Sequence, residues 1–460
     1  MKLKVSELVL ATGGSLINAS SASEEVIDWC SLIETKSISP PADVQTVAFF
    51  SLVVPNQGGW TASTLDRRSR VSDLFSRFPR WLFVVDNQQE DLPLLITSGC
   101  RLCVVENVYS AALTLHQYVL GVVRPTVIGV TGSVGKTTCV ALLEDVLSIY
   151  GRTLRIFSKR LSPLTVAAAC INFLDRTHRY IVMEYSLYRR SHVRELCAVL
   201  KPNVGVMLDI SGAHLGIDGM TTTEDLFISK AELLRASHHS IVSESIAFCL
   251  DEFKNVTRFG FSARNIHARC VPERSEIWIH NQKLTVRPFL LTTLSFQQAM
   301  AALLVVTSQG LTFTQSTLDT ITKFRPKENR LTELYVGNTK VIFDGEPTYM
   351  ARISALADHY YDDAALMILH ADHGEQPLEP QIPTLTASKV LETFVARYVG
   401  ASIEKSWLER LTSALQPELI EFRHIDSCIG RHNVVFLHIG GWWRFNSELP
   451  TFLSKYQRRE

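Results

Sequence analysis

The sequence predicts an α/β fold of three domains, the middle one a doubly wound parallel sheet built around a glycine-rich turn. Three observations predict it. From Pro125 onward, short apolar runs alternate with segments of helical period. One such run, PTVIGV, passes directly into a glycine-rich turn and then an amphipathic stretch. The alternation starts afresh near KFRPKENR, and a chain of 460 residues has room for about two to four domains at roughly 100–200 residues each.

Composition narrows the class. Hydrophobic residues make up 46% and charged residues 20%, enough for a large core and too apolar for long disorder. Lys+Arg and Asp+Glu both number 46, so the formal net charge is zero, and neither a nucleic-acid coat nor a polybasic membrane anchor is expected. The 9 cysteines are scattered and odd in number, which fits a reducing cytoplasm better than a disulfide framework. MKLKVSELVLATGG carries Glu7 inside its apolar stretch and lacks a signal-peptide layout. No run of about 18 uncharged apolar residues appears, so no membrane span is expected. A cytoplasmic monomer is the expectation.

In order along the chain, residues 1–122 mix the runs TVAFFSLVV and RWLFVVD with polar loops such as PNQGGWTAS, and read as a small α/β domain. Cys100 and Cys103 form a C-x-x-C, but a zinc site needs a second ligand pair and none is nearby, so both are placed in or beside a buried strand, RLCVVEN. Residues 123–325 open with PTVIGV, continuous enough for a strand buried on both faces. TTCVALLEDVLSIYG then places Leu142, Leu143, Val146, Leu147 and Tyr150 on one helical face, with Gly151 as the C-cap. RYIVMEYS reads as a strand, RRSHVRELCAVL as a helix and NVGVMLDI as a strand. TTTEDLFISKAELLRA reads as a helix opened by a Thr221–Glu224 capping box, with Phe227, Leu233 and Leu234 inward. Residues 326–460 repeat the pattern. KVIFD, AALMILHAD and NVVFLHIGG read as strands, and LETFVARYV, SWLERLTSAL and LPTFLSKYQ as helices.

The chemistry-bearing stretch is VIGVTGSVGKTT. The common phosphate loop is G-x-x-x-x-G-K-[ST], and here Val130 stands where its outer glycine belongs. The strand–turn–helix context is nevertheless that of a phosphate site. Gly132 and Gly135 let the backbone approach phosphates, and amides at the helix start face the anion. Lys136 would reach the outer phosphates, and the Thr137 hydroxyl would bind Mg²⁺. Glu184 ends its strand at the edge where open α/β sheets bind ligands, which makes it a candidate Mg²⁺ ligand, although a lone acidic strand end is usually just solvated. His214 follows another strand through a short turn; alone it reads as a structural histidine. Lys230 borders the inward stripe of its helix and alone reads as a snorkelling lysine.

Together these features resemble the Mur ligase family of ATP-dependent ligases. That family uses a shortened loop, T-G-[ST]-x-G-K-[ST]-[ST], matched throughout by Thr131, Gly132, Ser133, Val134, Gly135, Lys136, Thr137 and Thr138. Its next marks are a strand-end Glu, an A-H-L and a helical A/S-K-x-E-L, found here as Glu184 in VMEYS, His214 in GAHLG and Lys230 in SKAEL. Arg330 in ENRLTEL is similar to the arginine opening the family's C-terminal domain, with Asn329 in place of the usual glycine. TGSVGKT, EYSLYRRSHVREL and the opening MKLKVSELVLATGGSL look most like the branch that adds D-alanyl-D-alanine to a UDP-muramoyl peptide.

The resemblance implies that ATP phosphorylates a substrate carboxylate and that an amine then attacks the acyl phosphate. It implies two Mg²⁺ ions, one held by Thr137 and one by Glu184 and His214. It also implies a carbamylated Lys230, because an ammonium would be repelled by those cations. The nearest branch differs in several places. TLSFQQAMAALLVV offers Ser295 and Gln298 where the family's adenine-side helix has H-N-x-x-N, leaving Gln298 to pair with adenine. FDGEPTYM is a short form of D-x-Y-N-A-N-P that keeps Asp344 and Pro347. The N-terminal S-x-D-S-R and D-G-H elements that hold the uridine nucleotide have no recognisable counterpart; IETKSIS and NQGGW lie roughly where they should be. The expected partners are therefore a small-molecule carboxylate and amine. The alternative is a nucleotide-binding regulatory or scaffold protein derived from such a ligase. A plain P-loop kinase or GTPase explains neither AHL nor SKAEL.

Overall fold

The computed structural model describes residues 2–327 except 20–24, 34–39, 55–64, 158–160, 212–214, 254, 263–266, 280–281 and 289–292; beyond residue 327 it describes 332–336, 338–344, 365–370, 392–397, 418–421 and 434–438. The chain divides into two compact units, Met1–Gly129 with Tyr150–Asn203, and Val130–Ile149 with Val204–Glu460.

The first unit opens with β1 (Leu3–Lys4), α1 (Val5–Thr12), β2 (Ser15–Ile17), β3 (Val26–Ile27), β4 (Trp29–Ser31), β5 (Val47–Phe50), β6 (Val53–Val54) and β7 (Leu65–Asp66). α2 (Val71–Arg77), β8 (Leu82–Asp86), α3 (Leu92–Thr97), β9 (Leu102–Val105) and α4 (Val108–Val123) follow. Five strands form one sheet in the order β2-β9-β8-β5-β4, parallel except for β2. The apolar runs read from the sequence are its centre: β5 and four of the five residues of β8 are buried. Cys100 and Cys103 lie buried at and in β9 as expected, and burial pushes their thiols up to about 12 and about 11. The unit also holds β11 (Arg152–Ile156) parallel to β12 (His178–Glu184), with α6 (Pro163–Phe173) and α7 (His192–Val199).

In the second unit, the end of β10 (Thr126–Thr131) leads through the glycine turn into α5 (Lys136–Leu147). Ten of the twelve residues of α5 are buried, so it is enclosed on nearly every side rather than being a surface amphipathic helix. It ends at Ser148, whose hydroxyl donates to Glu144 O at 2.7 Å; Gly151 is therefore not the cap. β13 (Val204–Met207), α8 (Thr223–Ala236), β14 (His239–Ser243), β15 (Val256–Gly260) and β16 (Ala268–Val271) continue the parallel pattern. β17 (Glu276–Ile279) and β18 (Gln282–Thr285) then extend it antiparallel, a departure from a purely parallel sheet. α9 (Thr293–Ser308) packs against α5 and β14–β17 through a run buried from Ala299 to Val306, and α10 (Gln315–Lys323) also meets α5.

α8 opens at Thr222, whose side chain pairs reciprocally with Asp225; the predicted Thr221–Glu224 box is displaced by one residue. In the C-terminal region, β19 (Thr332–Val336), β20 (Thr339–Asp344), β21 (Ala365–His370), β22 (Glu392–Arg397), β23 (Glu418–Glu421) and β24 (Val434–His438) form a sheet in the order β19-β20-β24-β21-β22-β23. KVIFD, AALMILHAD and NVVFLHIGG supply strands as expected. LETFVARYV does not form a helix: its core is β22, paired parallel to both β21 and β23. A short apolar run fits either period, and here its neighbours decide. SWLERLTSAL and LPTFLSKYQ lie outside the described residues. Among the described residues, no helix is long and apolar enough to cross a membrane.

Candidate functional site

The turn between β10 and α5 is shaped by two glycines with positive φ, Gly132 at 146° and Gly135 at 82°. A Cβ on Gly132 would stand 2.9 Å from Asp209 Oδ1, so the glycine is required by a close neighbour as well as by its backbone angle. Lys136, Thr137 and Thr138 are all buried in the first turn of α5, where the helix cannot satisfy its own amides. The Lys136 ammonium folds back and donates to Ser133 O at 3.1 Å.

Ser133 is a junction. Its Oγ accepts from Ser211 N–H at 2.9 Å and donates to Ser211 O at 3.2 Å. It also accepts from Lys230 Nζ at 3.0 Å. Lys230 is 1% exposed and points inward, which corrects the snorkelling reading. It sits in α8, where Phe227, Leu233 and Leu234 are also buried, and its Nζ reaches the loop.

Gln298, on α9, is buried and its Nε2 donates to Gly135 O at 3.2 Å. With Ser295 it lines a mostly apolar pocket completed by Thr138, Leu142, Leu294 and Phe324. Ser295 and Gln298 thus stand beside the loop residue Gly135.

Glu184 ends β12 in the first unit and accepts from Ser186 Oγ at 3.3 Å. His214 and Arg330 lie outside the described residues, and Asp344 is described only as the end of β20. Thr131 ends β10, fully buried, and its carbonyl accepts from Leu208 N–H at 3.1 Å. Sequence reading passed over Asp209. Its Oδ1 accepts from the amides of Ser133 at 2.8 Å and Val134 at 2.9 Å. The signal was available, since Asp209 follows strand β13 just as Glu184 ends β12.

Among the described residues, no three His, Cys, Asp or Glu side chains converge on a metal position. Mg²⁺ makes no such demand; it keeps waters and takes one or two protein oxygens beside substrate phosphates. A buried threonine hydroxyl in the first turn of a helix, next to a lysine, fits Mg²⁺ with a nucleotide phosphate.

Residues 130–306 match the Mur ligase middle domain family. The UDP-N-acetylmuramoyl-tripeptide–D-alanyl-D-alanine ligase of Mycobacterium leprae is 35% identical over 115 residues, which cover 24% of this chain and 21% of the relative. The enzyme of the same name from Synechocystis is 29% identical over 120 residues, 26% of this chain and 25% of the relative. The chain thus aligns with about a fifth to a quarter of the length of these curated relatives. MurF from Acinetobacter baumannii superposes with a TM-score of 0.74 at 17% identity, over 99% of both chains. MurF ligase from Thermotoga maritima in complex with ADP superposes with a TM-score of 0.68 at 16% identity, over 89% of this chain and 94% of that one. The resemblance to the Mur ligases therefore holds by sequence in the central domain and by fold along the chain.

Proposed function

We propose that this protein is an ATP-dependent carboxylate–amine ligase that works through an acyl phosphate and releases ADP and phosphate. One observation carries the reading: Lys230, read from the sequence as a separate motif, is buried with its Nζ on Ser133 of the phosphate loop. A simple nucleotide binder has no use for a buried lysine brought there from another helix.

A carboxylate is a poor electrophile, so it must first be activated, and positioning and charge neutralisation are the protein's share of phosphoryl transfer. Lys136 and the amides of α5 receive the β- and γ-phosphates. Gln298 and Ser295 border the adenine. Thr137 would hold one Mg²⁺, and Glu184 and His214 a second, which together would supply charge neutralisation. Lys230, as a carbamate, would support the second ion, its nitrogen oriented by Ser133 Oγ. Arg330 and Asp344 bring the C-terminal domain to the nucleotide in a 1–122, 123–325, 326–460 division.

The substrate is a UDP-muramoyl peptide receiving D-alanyl-D-alanine, or a related peptide or amino acid; the alignment with the ligases of that name supports the first. A cytoplasmic place in peptidoglycan biosynthesis follows from that choice. The test is an ADP-release screen over UDP-muramoyl peptides, free amino acids and dipeptides. Release that requires both a carboxylate and an amine is expected. ATP binding without turnover on any pair would favour the regulatory or scaffold alternative, to which the altered adenine-side residues Ser295 and Gln298 point.

A further inference from the structure

Helix α5 has no side-chain cap: its N-cap is Gly135. The two amides just before it, those of Ser133 and Val134, are instead taken by one carboxylate oxygen, Asp209 Oδ1, at 2.8 and 2.9 Å. Ser133 N–H is shared with the Asp209 carbonyl at 3.2 Å. Two residues later, both backbone groups of Ser211 are tied to Ser133 Oγ. Asp209 and Ser211 therefore lace the chain after β13 onto loop residues 132–134. That lacing restrains a turn which holds two positive-φ glycines and would otherwise sample many shapes. Hydrogen bonds from amides to a carboxylate are also among the stronger ones.

We propose that Asp209 is a positioning residue for the nucleotide phosphates, holding residues 132–134 so that the amides of α5 remain directed at the anion. The inference rests on reading the loop as an ATP site. Its cost is a negative charge near the phosphates, so an amide in its place should position the loop equally well and repel less.

The experiment compares wild type, Asp209→Ala and Asp209→Asn in calorimetric titrations with Mg·ADP and with adenosine, alongside amide hydrogen exchange of the loop without nucleotide. Asp209→Ala should lose about tenfold in Mg·ADP affinity, the loss of a charged hydrogen-bond pair, while adenosine affinity stays unchanged. Its Ser133 and Val134 amides should lose protection. Asp209→Asn should match or exceed wild-type Mg·ADP affinity. Unchanged Mg·ADP binding by Asp209→Ala, or equal losses of Mg·ADP and adenosine, would overturn the positioning role. Should Asp209→Ala not fold, rapid exchange of both amides in wild type, or loss of Mg·ADP affinity in Asp209→Asn, overturns it instead. Wild type failing to bind Mg·ADP overturns the ATP-site reading, and this role with it, before any variant is measured.

Discussion

The sheet region of the first unit and the phosphate loop of the second both bury polar side chains, but for different ends. In the first unit, His116 is fully enclosed with Nε2 3.0 Å from Val199 O. Arg67 is 2% exposed, donates to the carbonyls of Ser31 and Leu32, and lies 4.1 Å over the Phe49 ring. Arg67 also donates to Ser31 Oγ at 2.8 Å, so these polar groups tie neighbouring segments of the first unit together. At the loop, Lys230 and Gln298 are buried to a similar degree, yet both donate to the glycine turn that leads into α5. Burial alone does not mark a site. What a buried polar group is tied to does.

The largest expected effect tests the loop side of this contrast. Lys136→Ala should abolish ATP turnover, a loss of about a thousandfold or more in amine-dependent phosphate release; near wild-type release would remove the loop from the chemistry. Lys230→Ala should be severely impaired and partly rescued by small carboxylates standing in for the carbamate. Full activity without rescue would place Lys230 with His116, as a group that merely closes the fold.

A third test addresses the first unit. Burial lowers the His116 pKa from 6.5 to about 4. The unfolded chain therefore binds more protons between those values, so stability falls as pH drops from 6.5 toward 4, by roughly 3 kcal/mol in all. Urea unfolding across that range should show the fall, and His116→Gln should flatten it. Equal slopes in the two proteins would mean that His116 is not held neutral by its surroundings. The smallest effect separates stability from site. Thr222→Ala removes the cap of α8 and should cost about 1 kcal/mol in thermal or urea unfolding, leaving Mg·ADP affinity nearly unchanged. A large loss of nucleotide affinity would show that the start of α8 also places Lys230.

Much of this was legible in the sequence because it is local. TGSVGKTT is recognisable from its own glycines and from the strand and helix that flank it. The buried runs VAFF and LFVVD are apolar in themselves. Less legible were features set by a neighbour. Whether LETFVARYV coils or extends depends on β21 and β23, which lie on either side of it. The α8 cap moved by one residue because Thr222 and Asp225 satisfy each other. Gly151 looked like a helix stop, but Ser148 ended the helix first.

The sequence by itself determined the strand–turn–helix around the shortened loop and most of the buried strand runs, because period and spacing are properties of the chain. Only the tertiary structure decided that Lys230 turns inward to Ser133 and that Asp209 occupies the loop amides. Both depend on atoms 97 and about 76 residues away in the chain, brought within hydrogen-bond distance by the packing of α8 and β13. A side chain at the edge of an apolar stripe can point either way; the polar partner it finds there decides.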